Sequence, residues 1–239
     1  MILRWDDWCP RYLDIVKRLN LDSAADKEAT ALLTELLEPI DPQPLLKRLS
    51  ETINGKDVII CGAGPSLERH LKSFFSSADH EDYVVVAADG AVSVILELGL
   101  YCDIVVTDLD GNIEHIMRAK DNGALLIVHA HGDNIERVRT VVPDLGEILG
   151  STQVEPTDRA FLWGGFTDGD RACHVVCKYS PRRIVLAGMD FGATVGKWSK
   201  PGHENHFPAS ERKKIKLEIA EGLMTTLLKT TRVDYLFLT

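Results

Sequence analysis

The run Asp57-Val-Ile-Ile-Cys-Gly-Ala-Gly-Pro-Ser-Leu67 decides how the chain is read. An apolar, β-branched stretch over Val58 to Cys61 predicts a buried strand, and Gly62 to Ser66 turn the chain into a helical pattern over Leu67 to Phe75. A strand that ends in a glycine turn and enters a helix is the opening unit of an α/β sheet. Downstream the alternation repeats. Strands are expected at Tyr83 to Ala87, Ile104 to Val106, Ala124 to Val128, Arg183 to Ala187 and Val233 to Leu238. Helices are expected at Val92 to Leu98, Ile113 to Asp121, Ile135 to Val141, Arg171 to Tyr179 and Ser210 to Lys229. The fold class is therefore α/β, a mostly parallel, doubly wound sheet with helices on both faces. Pro143 to Gly165 reads as two short strands, and Gly192 to Pro208, which has no period, as a long loop.

Upstream of Asp57 the pattern is helical. Trp5, Trp8, Tyr12, Ile15, Val16 and Leu19 recur at helical spacing, and a second stripe from Ala25 to Leu37 follows a cap at Asp22 or Ser23. A third short helix follows Pro44 and ends at Gly55. The division expected is a helical N-terminal subdomain over residues 1–55 and an α/β catalytic domain over residues 56–239.

Composition narrows the function. The 239 residues carry 27 Lys plus Arg against 36 Asp plus Glu, and a net charge of -9 opposes general binding to nucleic acid. No basic-then-apolar leader and no apolar run of spanning length is read, so no membrane association is expected. Five widely spaced cysteines give no disulfide framework, and the expected location is the reducing cytoplasm. The oligomeric state stays open, a homodimer among the options.

In a parallel sheet, ligands bind beyond the carboxyl ends of the strands, and the polar residues here fall at those turns. Gly62, Gly64, Pro65 and Ser66 follow the first strand, where helix-start amides favour a phosphate. Asp89 and Gly90 follow the second, and Asp108, Asp110 and Gly111 the third. Two carboxylates two residues apart in a tight turn can converge on a hard cation such as Mg2+, with Asp89 completing the set and Gly111 admitting a phosphate. The turn after the fourth strand carries His129, His131, Asp133 and Asn134. It resembles the start of a zinc-ligand motif, but Asn134 stands where a further His is usual, and the surrounding turns offer oxygen, which favours magnesium. Asp168, Asp170 and Asp190 extend the series. Lys197, Lys200 and Lys213, with neighbouring Arg212, Lys214 and Lys216, form a late cationic cluster suited to a lid over a polyphosphate.

Taken in order, Gly-Ala-Gly-Pro-Ser, Ala-Asp-Gly-Ala, Thr-Asp-Leu-Asp-Gly, His-Ala-His-Gly-Asp-Asn, Phe-Thr-Asp-Gly-Asp-Arg and Gly-Met-Asp-Phe-Gly resemble the archaeal 6-hydroxymethyl-7,8-dihydropterin pyrophosphokinase family from residue 58 onward. The Asp89 and Asp108 to Asp110 turns are also similar to those of the thiamine pyrophosphokinase catalytic domain. The resemblance implies Mg2+-dependent transfer of diphosphate from ATP to the hydroxymethyl group of a reduced pterin, with release of AMP. It implies Asp89, Asp108 and Asp110 as metal ligands, and Asp108, Asp110, Asp133, Asp168 and Asp170 as the catalytic acids. The nucleotide would meet Gly62 to Ser66, Asp89, Gly90, Gly111, Lys197, Lys200 and Lys213, and the pterin His131, Asn134 and Asp190. Related motifs occur in a flagellin-modifying glycosyltransferase-like family, so glycosyl transfer from a nucleotide sugar is the alternative activity, and a non-catalytic nucleotide-binding module the third.

Overall fold

The computed structural model describes residues 3–239. Three helices, α1 (Trp5–Leu19), α2 (Ser23–Leu36) and α3 (Pro42–Ile53), precede the first strand. Asp22 caps α2 by accepting from the amides of Ala24 and Ala25, and Asp41 caps α3 from the amide of Gln43. Then β1 (Asp57–Cys61), α4 (Leu67–Phe74), β2 (Tyr83–Ala88), α5 (Ala91–Glu97), β3 (Ile104–Thr107), α6 (Ile113–Asp121), β4 (Leu125–Ala130) and α7 (Ile135–Leu145) alternate as the sequence predicts. The second half follows with β5 (Leu149–Thr152), β6 (Ala160–Phe161), α8 (Asp168–Lys178), β7 (Arg183–Ala187), β8 (Thr194–Val195), β9 (Phe207–Pro208), α9 (Glu211–Thr230) and β10 (Asp234–Phe237).

The main sheet runs in the order β10-β7-β1-β2-β3-β4-β5-β6, and every ladder in it is parallel. Successive strands therefore send alternate residues to opposite faces. Ile59, Cys61, Val85, Val105 and Leu126 meet α2 and α4 to α7 on one face, while Val58, Ile60, Val86, Ile104 and Ile127 meet α3, α8 and α9 on the other. Helix α1 packs Trp8, Tyr12, Ile15 and Leu19 against Ile219 and Leu223 of α9 and against Val154 and Leu162. The three N-terminal helices thus share their cores with the sheet and its covering helices.

Two readings change. The stretch from Gly192 to Pro208 is not purely a loop: Thr194 and Val195 pair antiparallel with Phe207 and Pro208, strands too short to carry a hydrophobic period. Helix α7 passes through Pro143 to Leu145, where the proline suggested an earlier stop. No helix among the described residues is long and apolar enough to cross a membrane.

The strand order reverses beside β1. Strands β2 to β6 extend to one side, and β7 returns to the other, so the turns after β1 and β7 lie together at the switch point where ligands bind in such sheets. The Gly62 amide donates to the Ala187 carbonyl at 2.8 Å and the Gly64 amide to the Gly188 carbonyl at 3.0 Å.

Candidate active site

A cleft of about 970 Å³ opens over the carboxyl ends of the strands. Its floor includes Asp89, Asp108 and Asp168, each offering a carboxylate oxygen within 4.8 Å of the others. Three elements deliver these acids. Asp89 follows β2 in the left-handed region at φ 43, and Leu109 after Asp108 takes φ 64, conformations disfavoured for residues with a Cβ and concentrated at functional turns. A relay fixes them together: the Leu109 amide donates to Thr107 Oγ1 at 2.8 Å, and that hydroxyl donates to Asp89 Oδ1 at 2.6 Å. A Cβ on Gly111 would lie 2.8 Å from Asp89 Oδ2, so this glycine leaves room for the carboxylate. Asp168 arrives at the start of α8 from the opposite face of the sheet.

Crowding sets the charge of these acids. Burial, then the Asp108 charge, pushes Asp89 up to about 7 against the hydrogen bond from Thr107. Burial and Asp108 likewise push Asp168 well above the carboxylate range, although Arg171 opposes this. Burial would raise Asp108 too, but the hydrogen bond from His131, with the charge of Arg171, outweighs it and holds Asp108 at about 2. The cluster crowds three carboxyl groups that resist ionising together and offers oxygen donors only, a composition that fits a hard divalent cation.

The other expected residues sort by geometry. His131 Nε2 lies 3.3 Å from Asp108 Oδ2, and its Nδ1 accepts from the Asp133 amide at 3.3 Å, which makes Nε2 the donor toward the acid. Asn134 is buried, and its amide donates to the carbonyls of Asp108 and His129, both at 2.8 Å, binding two turns together. Asp170 accepts from the Phe166 and Thr167 amides and the Thr167 hydroxyl, so both its oxygens shape the turn that carries Asp168. Asp110 points its carboxylate to Arg137 and to Lys200, the latter at 3.3 Å. Asp133 makes one long contact, 3.9 Å to Arg212.

The glycine turn after β1 has an anion seat that is already filled. Asp190 Oδ2 accepts from the Ser66 amide at 3.0 Å and the Ser66 hydroxyl at 2.7 Å, and a Cβ on Gly64 would collide with that carboxylate. Pro65, Ser66, Gly90, Gly111, Asn134 and Lys197 lie outside the cleft wall. Gly90 instead seats the 196–200 segment, because a Cβ there would overlap the Trp198 carbonyl. Lys197 sits over the Trp198 ring. Lys200, Arg212, Lys213 and Lys216 do line the cleft, and Lys213, pushed down by burial and by Lys216, feels the charges of Asp168 and Asp108.

Sequence reading did not single out Thr107 or Arg171 for these parts. Arg171 is buried, donates to Asp168 Oδ1 at 3.0 Å and to the Phe166 carbonyl at 3.1 Å, and so sets a guanidinium beside the acids. Both residues stood inside the quoted motifs, and only their side-chain direction was missing.

A pH dependence follows from the crowding. Folded Asp89 keeps its proton to about pH 7, where the unfolded chain releases it near 3.8. The folded state then binds more protons in that window, so this group's contribution to stability falls as pH rises through it. Asp168 acts in the same direction. Melting of metal-free protein should therefore weaken between about pH 4 and about pH 7, less so in Asp89→Asn, and saturating Mg2+ should restore it. A variant that loses as much as the wild type would remove Asp89 from the effect.

Comparison with known proteins gives the family. Residues 31–196 match the family model described as 6-hydroxymethylpterin diphosphokinase MptE-like. Proteins named 6-hydroxymethyl-7,8-dihydropterin pyrophosphokinase from Pyrococcus furiosus and Methanothermobacter thermautotrophicus are each 41% identical, covering 96% and 93% of both chains respectively. One of the same name from Methanocaldococcus jannaschii is 34% identical over 96% of this chain and 98% of its own. Among solved structures, the Maf glycosyltransferase from Magnetospirillum magneticum AMB-1 aligns with a TM-score of 0.48 at 15% identity, covering 78% of this chain and 34% of that one. The chain spans about a third of that protein's length. With the acid cluster, the filled glycine turn and the sheet that places them in view, the chain belongs to the MptE-like 6-hydroxymethylpterin diphosphokinase family.

Proposed function

We propose that the protein is a cytoplasmic enzyme that transfers diphosphate from ATP to the hydroxymethyl group of 6-hydroxymethyl-7,8-dihydropterin and releases AMP. The observation that carries this reading is the convergence of Asp89, Asp108 and Asp168 within 4.8 Å beyond the carboxyl ends of β2 and β3. These three acids would hold Mg2+, and their donor set fits it. A bound Mg2+ would neutralise the triphosphate and polarise the β-phosphorus toward the incoming alcohol. Lys213 and Lys216, on the first turns of α9, face the same cleft and supply fixed positive charge for the oxygens of the transferred group. Lys200, tied to Asp110, brings a further cation from the 196–200 segment. Asp133, whose carboxylate makes only the long contact to Arg212, is the candidate to take the alcohol proton.

Asp190 is the candidate for the pterin itself. The amino and ring N–H groups of a pterin edge need a paired acceptor. Ser66 fixes one oxygen of Asp190, and Asp190 lines the cleft together with Met189, Phe191 and Phe207. The glycine turn then serves to seat this carboxylate, and the phosphates belong with the α9 lysines.

Steady-state kinetics test the assignment. Asp190→Ala should raise KM for the pterin about 10-fold or more, the loss expected for a charged hydrogen-bond partner, with KM for ATP little changed. A rise confined to the ATP KM would instead give Asp190 to the nucleotide.

A further inference from the structure

Helix α2 lies outside the run of motifs, yet one of its side chains reaches the metal turn. Asp26 is 3% exposed, and its carboxylate accepts three hydrogen bonds: from the Tyr12 hydroxyl at 2.7 Å, from Gln153 Nε2 at 2.9 Å, and from the Gly132 amide at 2.7 Å. The last is the informative one. Gly132 directly follows His131, whose imidazole meets Asp108, and Asn134 in the same turn holds the Asp108 carbonyl. Contact here is close, since a Cβ on Gly132 would come within 2.8 Å of Ala25 Cβ on the same helix. The wall of the cleft also includes Asn20, Leu21, Asp22, Ala25 and Asp26.

We infer that Asp26 is a positioning residue for the metal site: it clamps the His131 turn from the N-terminal helical layer and so sets the imidazole against Asp108. A buried acid with all its bonds directed to one loop and two tethers is costly unless that loop must be held in one geometry. Partners that orient metal ligands from behind commonly change metal affinity by about 10- to 100-fold when removed. Tyr12 and Gln153 then carry the constraint onward, tying α1 and the segment after β5 to the same carboxylate. The helical layer is on this account part of the catalytic apparatus. The inference rests on the metal assignment proposed above.

The test is calorimetric titration of Mn2+ alone into metal-free full-length protein, with the Mg2+ dependence of turnover as a second readout. Asp26→Ala should weaken Mn2+ binding about 10-fold or more and raise the Mg2+ needed for half-maximal turnover in parallel. Asp26→Asn, which keeps an oxygen for the Gly132 amide, should recover most of the affinity. Thr30→Val is the control: it removes buried hydrogen bonds of the same helix, to the Asp26 carbonyl and Thr152, without touching the His131 turn. That variant should lose thermal stability and keep Mn2+ affinity within about two-fold, because Thr30 bonds the Asp26 carbonyl and leaves the carboxylate that holds the Gly132 amide in place. Should Asp26→Ala not fold, Gly132→Ala replaces it, because the added methyl presses against Ala25 while Asp26 stays, and the same loss is expected. Normal Mn2+ binding in these variants, or equal weakening in Thr30→Val, overturns the inference alone. A wild-type protein that binds no Mn2+ overturns the metal assignment with it.

Discussion

Replacing Asp89 with Asn should lower kcat by about 10³-fold, some 4 kcal/mol of transition-state stabilisation, while the metal-free protein becomes more stable. The two effects share one cause. Asp89 is buried beside Asp108 and Asp168, and its charge is tolerated poorly without a cation, which is why it titrates at about 7. An Asn fits the same φ of 43, keeps an oxygen for Thr107, and removes the charge. Stability should then rise, each kcal/mol appearing as roughly 2–4 °C in Tm for a chain of this size. The function of the site suffers because the charge that burdened the empty cluster is what a divalent ion requires. Thermal melts and turnover of the same preparation check both halves. A variant that is inactive and unstable would point to a fold defect; one that is active would take Asp89 out of the site.

Lys213→Ala should cost about 10²-fold in kcat, near 2.7 kcal/mol, with KM for the pterin little changed. Lys213 is half-buried, and its charge couples to both Asp168 and Asp108. Burial and Lys216 push its amine below the ordinary lysine range, so its charge is lost earlier on an alkaline ramp than that of an exposed lysine. The activity of the wild type should fall on the alkaline side accordingly. Lys213→Arg keeps the charge and should move that limb upward, at the cost of a bulkier, planar group. Pre-steady-state measurement of AMP release separates loss in the chemical step from slow product departure. A Lys213→Ala enzyme with unaltered burst rate would assign the residue to binding alone.

Much of the scaffold was legible because the strands, buried on both faces, stand out as continuous apolar runs between helical periods. The β1 turn into α4, and the acids after β2 and β3, follow from apolar runs that end in glycine and aspartate. The features missed were local or directional. Two-residue strands such as Thr194–Val195 carry no pattern, and α7 runs past Pro143 because it is already near its end. Spacing placed Asp110 beside Asp108, yet the left-handed turn at Leu109 sends its carboxylate to Arg137 and Lys200. Asp168 is about sixty residues later in sequence, and nothing along the chain tells that α8 brings it back over the same point. Asp26 was hidden for a different reason: one acid on a helix looks like a solvated position, and only the packing of α2 on Gly132 turns it inward.

The central claim is that Asp89, Asp108 and Asp168 together hold the divalent ion on which diphosphate transfer depends. Anomalous scattering from crystals grown with Mn2+ and α,β-methylene ATP, whose bridge resists the cleavage in question, tests it most directly. The account predicts a manganese peak among these three carboxylates, with oxygen ligands at about 2.0–2.3 Å and the β-phosphate alongside Lys213. A peak at Asp110 and Lys200, with none among the three acids, would contradict it.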